Sequence, residues 1–206
     1  MMWNCRGAAS REFRRVCYNF LKQINPSIVV IMETRMNPLN LANTFRSMGF
    51  DKLMGTDVQG FAGGIALAWK SDIVKVEILR KHFQFLHLQI KLNTGEEFLF
   101  TPVYASPNRS IRDVLWEELT QISFQLNQSW LVGGDFNDIL NSTEKKGGAP
   151  VAQRKCDIFK NRIETCNLFD LGAVGHRFTW KGPIFHGRGR IYERLDRAFA
   201  NAAWRI

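Results

Sequence analysis

Trp130-Leu131-Val132-Gly133-Gly134-Asp135-Phe136-Asn137 is the stretch whose reading decides the fold. Five apolar or small residues run without a break and stop at a carboxylate. Such a run reads as a strand from a sheet covered on both faces. Ile28-Val29-Val30-Ile31-Met32 has the same character, and Glu33 follows it. In layered α/β proteins, functional groups collect where strands end and loops begin. Asp135 and Glu33 stand at such points. Asn137 lies two positions past Asp135, Asn4 follows Trp3 in an opening strand, and Asp196 ends the segment Arg194-Leu195-Asp196.

Outward from these strands the pattern alternates between helix and strand. Phe13, Val16, Cys17, Phe20, Leu21 and Ile24 fall on one helical face, and Pro26 stops the run. A second helix is predicted over 39–48. Strands are predicted over 63–69, 73–79, 83–92 and 97–103, with Asn93-Thr94-Gly95-Glu96 as a hairpin turn. A helix over 111–126 would turn Val114, Leu115, Leu119, Ile122 and Leu126 inward. Another over 153–166 would bury Cys156, Phe159, Ile163 and Cys166. Phe178-Thr179-Trp180 and Arg194-Leu195-Asp196 read as late short strands. This mixture predicts an α/β domain rather than a bundle or an all-β sandwich.

A chain of 206 residues suffices for one domain with a sizeable core. Lys and Arg number 28 against 19 Asp and Glu, and the formal charge of +9 suits a polyanionic partner. No apolar run is long enough to span a membrane, and the first residues lack the apolar core of a signal peptide. Cys5, Cys17, Cys156 and Cys166 form no CxxC pair, so they read as reduced thiols of an intracellular protein, nuclear or cytoplasmic. The strand-end set is all oxygen and amide. That chemistry suits a hard cation such as Mg2+, with Mn2+ as a substitute.

The ordered motifs resemble the endonuclease/exonuclease/phosphatase superfamily in its plant LINE-type retrotransposon form. Trp3-Asn4-Cys5-Arg6-Gly7 looks like its opening strand, and Glu33-Thr34 like its metal-binding segment. Gly63-Gly64-Ile65-Ala66-Leu67-Ala68-Trp69 and Val103-Tyr104-Ala105-Ser106-Pro107 look like the plant LINE version. Gly134-Asp135-Phe136-Asn137 is the strongest single match. Phe178-Thr179-Trp180 and Glu193-Arg194-Leu195-Asp196-Arg197 complete the order.

The resemblance implies a DNase I-like, four-layer sandwich of two packed mixed sheets flanked by helices, over 1–206. It implies phosphoester hydrolysis with Mg2+. Carried over, Glu33 would hold the metal with help from Asn4. Asp135 would orient or deprotonate the attacking water. Asn137 and Tyr104 would bind the phosphate, with Thr179 nearby as polar support. Asp196 would orient a catalytic histidine. Arg188, Arg190 and Arg194 would meet DNA from a hairpin. Lys145-Lys146 reads as a mobile loop.

The family places its histidine in a Ser-Asp-His motif after the Leu-Asp-Arg segment, and no Ser-Asp-His occurs in this sequence. His82, His87, His176 and His186 are the histidines present, and His87 falls on the polar side of its alternation. The expectation is a domain clipped at both ends, lacking C-terminal strand(s), and a weak or inactive DNA-nicking endonuclease. A nucleic-acid-binding remnant without catalysis and a phosphatase of the same superfamily are the alternatives.

Overall fold

The computed structural model describes residues 1–56, 64–184 and 189–205. Gly63, His186 and Arg188 lie outside the described residues. The described chain runs β1 (Met2–Asn4), α1 (Arg11–Ile24), β2 (Ile28–Met32), α2 (Ala42–Ser47), β3 (Lys52–Gly55) and β4 (Ile65–Trp69). It continues with β5 (Val74–His82), β6 (Phe85–Leu92), β7 (Glu97–Tyr104), α3 (Arg109–Phe124) and β8 (Trp130–Asp135). Then come β9 (Lys145–Lys146), α4 (Gln153–Thr165), β10 (Phe169–Asp170), β11 (Trp180–Lys181), β12 (Tyr192–Glu193) and β13 (Asp196–Ala200).

Two mixed sheets stack. One has the order β1-β2-β4-β3, the other β10-β13-β8-β7-β6-β5. The unbroken apolar runs follow from burial on both faces. On β2, Val30 and Met32 point between the sheets, while Val29 and Ile31 point out toward Phe13, Cys17 and Leu21 of α1 and Phe45 of α2. On β7, Phe100 and Tyr104 face the other sheet, while Leu99 and Val103 face α3 and α4. Leu115, Trp116, Leu119, Phe159 and Ile163 seal that outer face. The layers are therefore helix, sheet, sheet, helix, as expected.

Local chemistry sets the element ends. Ser10 caps α1 by accepting from the Phe13 amide at 3.0 Å, and Asn25 closes it in the left-handed region. Asn108 caps α3. Gly95 adopts φ 96° in the turn between β6 and β7.

Several expectations are corrected. The region 39–48 divides into a 3-10 turn (Pro38–Leu41) and α2. Val114 is 43% exposed and Trp116 is buried in its place, because α3 is rotated toward the Leu115, Leu119, Ile122 stripe. Ile24 is exposed in the last turn of α1. His87 is buried, its Nδ1 2.8 Å from the Thr101 hydroxyl. Lys145 and Lys146 form β9 and pair with β12, with the Lys145 ammonium 3.0 Å from Glu193. Of Phe178-Thr179-Trp180 only Trp180 enters a strand, and of Arg194-Leu195-Asp196 only Asp196 does.

Candidate active site

The site follows from strand polarity. β1 runs parallel to β2, so Asn4 stands beside Met32, just before Glu33. β7 runs parallel to β8, so Tyr104 stands beside Asp135. β13 runs antiparallel to β8 and begins where β8 ends, which sets Asp196 opposite Asp135. Five chemistry-bearing residues from distant parts of the chain thus reach one rim.

Gly133 lets the two sheets close there, and Gly134 lets β8 lie against β7. A Cβ on Gly133 would lie 2.4 Å from the Met2 methyl. Gly134 adopts φ 141°, and a Cβ there would lie 1.9 Å from the Val103 carbonyl oxygen. With both absent, the Asn4 amide donates to Asp135 Oδ2 at 2.8 Å, bridging the sheets. The Asn137 backbone amide donates to Asp135 Oδ1 at 2.9 Å, and its side chain donates to the Ala105 carbonyl at 2.7 Å. Asn137 holds this pose in the left-handed region at φ 47°, where asparagine is tolerated better than most residues.

A cleft of about 540 Å³ opens over this rim, walled by Asn4, Arg6, Asp135, Thr179, Lys181 and Asp196 among others. Glu33, Tyr104 and Asn137 adjoin it. Glu33 follows β2 at φ 56°, and Arg35 binds its Oε1 through Nε at 3.0 Å. Thr179 accepts from the backbone amides of Leu195 and Asp196, each at 3.0 Å, and so fixes the start of β13.

The cleft concentrates like charge. Asp135 is 4% exposed, and burial, then Asp196 and Glu33, push its carboxyl up to about 6. Burial also raises Asp196, opposed by the Thr179 hydroxyl and the Arg6 guanidinium. Burial and the fields of Glu33 and Asp135 hold the Tyr104 phenol above its ordinary range, so it remains a hydrogen-bond donor. Arg35 offsets Glu33, and the cation that acts on Asp196 is Arg6. Its guanidinium sits 5.7 Å over the Trp180 ring and donates to the Lys181 carbonyl at 3.4 Å.

Of the residues singled out in the sequence, Asn4, Asp135, Thr179 and Asp196 line the cleft, and Glu33, Tyr104 and Asn137 border it. Arg190 and Arg194 do not line it. Arg194 bridges Glu144 at 3.5 Å and Asp170 at 3.3 Å inside an ion network with Arg197. Among the described residues, no histidine lines the cleft. Arg6, Trp180 and Lys181 were missed as wall residues. Arg6 lies within the opening motif, and that position was the available signal.

The donor set fits a hard divalent cation. Asp135 and Asp196 stand opposite each other with both carboxyls raised by burial, an arrangement that a cation relieves. Among the described residues, no group of three His, Cys, Asp or Glu side chains forms a cage. Mg2+ needs no such cage, because it keeps several waters.

Two stacked mixed sheets, flanked by helices and carrying an oxygen-lined cleft at their strand ends, define a DNase I-like α/β sandwich. The model of the endonuclease/exonuclease/phosphatase family matches residues 1–206, and the chain belongs to that family. Its fold is similar to the endonuclease domain of TRAS1, a telomere-specific non-LTR retrotransposon. That match has TM-score 0.69 and 16% identity, over 98% of this chain and 84% of that one. An AP endonuclease from Leishmania major matches at TM-score 0.73 and 12% identity, over 98% and 78%. A 3'-5' exonuclease from Neisseria meningitidis matches at TM-score 0.69 and 16% identity, over 98% and 86%. No curated protein matches the chain by sequence.

Proposed function

We propose that the chain is a weak DNA-nicking endonuclease of the plant LINE retrotransposon type, hydrolysing phosphodiesters with Mg2+ but slowed by the lack of a Ser-Asp-His motif in the sequence. The observation that carries this reading is the Asp135–Asp196 pair, opposed across β8 and β13 and bridged to the other sheet by Asn4. The motif version and the likeness to a retrotransposon endonuclease domain support DNA as the substrate.

Asn4, Glu33 and the two aspartates would hold Mg2+, which when bound polarises the phosphate and stabilises charge on the leaving oxygen. Asp135 orients the attacking water and accepts its proton. Asn137 keeps one amide hydrogen free beyond its bond to Ala105 and presents it to a phosphate oxygen. Tyr104 donates its phenol hydrogen to the same group. Arg6 and Lys181 draw the anion across the cleft wall.

Nicking of supercoiled plasmid with Mg2+ tests the reading. The wild-type chain is expected to nick, and Asp135→Ala to be slower by about 10²–10⁴. Equal nicking by both would identify a contaminant and remove the proposal. A second reading, DNA binding without hydrolysis, draws on the absence of histidine from the cleft among the described residues. It predicts salt-sensitive binding by the wild-type chain and no nicking.

A further inference from the structure

A second cavity, of about 150 Å³, lies between α3 and α4 and belongs to none of the chemistry above. Four cations line it, Arg109, Arg112, Lys155 and Arg162, against the single carboxylate of Asp138. Arg112 is only 8% exposed. It donates to the carbonyls of Ser106 at 2.7 Å and Pro107 at 3.1 Å, and pairs with Asp138 at 3.3 Å. Its Nε is buried with no acceptor. Arg162 pairs with Asp113. Arg109 and Lys155 have no carboxylate partner among the described residues.

Stability alone does not account for this placement. Arg109 opens α3 and Lys155 lies in the first turn of α4, and neither first turn holds an acid. The helix dipole disfavours cations there and favours anions. An anion in the cavity would meet both dipoles and the free cations at once. In its lining, Pro107 lies three residues past Tyr104, the last residue of β7, and Asp138 directly follows Asn137.

We infer that this cavity binds a backbone phosphate of the nucleic-acid strand outside the scissile position. The inference rests on the nucleic-acid reading of the cleft. It adds a site that grips the strand without taking part in hydrolysis.

Binding of a labelled DNA duplex, measured with chelator present across a salt series, tests the site. The double variant Arg109→Ala/Lys155→Ala should bind more weakly and reduce the slope of log affinity against log salt by about one. Lys22→Ala/Lys70→Ala, which removes cations from an unrelated surface groove, should leave the slope unchanged. An unchanged slope in the first variant overturns the inference, as does an equal drop in the second. So does absence of DNA binding by the wild-type chain. Orthophosphate titration followed by thermal melting separates the sources. Phosphate protection lost in Arg109→Ala/Lys155→Ala, with the DNA slope intact, would mean a free anion and overturn the strand assignment. Loss of plasmid nicking with the slope change intact would instead remove the nuclease reading and leave this site standing.

Discussion

Asp135 carries the heaviest electrostatic burden of any residue in the cleft. Its folded value of about 6 exceeds the ordinary 3.8, so the folded chain holds the proton more tightly than the unfolded chain. The unfavourable contribution is absent below about pH 4 and complete above about pH 6. The rise corresponds to about 3 kcal/mol, and loss of one acceptor in Asp135→Asn offsets about 1 kcal/mol. With chelator present, the variant should therefore melt above wild type at pH 7.5, with the advantage disappearing near pH 4. A variant destabilised equally at both values would contradict the charge account. Asp135 was legible because a carboxylate ending an apolar run is conspicuous in sequence, and Asn4 and Asp196 because they stand in the Trp-Asn and Leu-Asp-Arg motifs. Lys181 was not, because an isolated cation reads as solvated surface, and Arg6 stood in the opening motif without a role of its own. Only the approach of β11 to the opening loop gives them a common wall.

At the scale of elements, β13 is held by ions as well as by its ladder. Arg197 has a fully buried side chain and binds Glu144 and Asp170, with Arg194 alongside. Arg197→Met would leave two carboxylates short of a partner, at a cost of roughly 3–5 kcal/mol. Urea denaturation should show that loss, and Asp196 should lose its register against Asp135. A stability within about 1 kcal/mol of wild type would show the network to be dispensable. Asn108→Ala should remove the α3 cap at about 1 kcal/mol, read from the same curves. The long apolar strands and amphipathic helices were legible from periodicity. The two-residue strands β9, β10 and β12 were not, and β11 only at Trp180. Lys145-Lys146 carries no strand pattern of its own and is fixed by pairing with β12 and by Glu193.

The whole molecule is a device for bringing strand ends together. Each sheet contributes a parallel pair whose ends point the same way, Gly133 lets the sheets approach at that rim, and Gly134 lets β7 and β8 pair there. Gly134→Ala should fail to give a cooperatively folded chain, since its Cβ would meet backbone oxygen at 1.9 Å. Normal circular dichroism and melting would refute that steric reading. The layered architecture was legible because motif order and doubly apolar strands agree. The α3–α4 cavity was not, since its cations come from two helices that look separately like solvated amphipathic faces.

The central claim is that the rim formed by Asn4, Glu33, Asp135 and Asp196 grips a divalent ion. Mn2+ titration followed by electron paramagnetic resonance tests this directly, whatever the turnover. The account predicts about one ion per chain, held at least about tenfold more weakly by Asp135→Asn and by Asp196→Asn, a difference of about 1.4 kcal/mol. Equal Mn2+ binding by all three chains, or none by wild type, would contradict it.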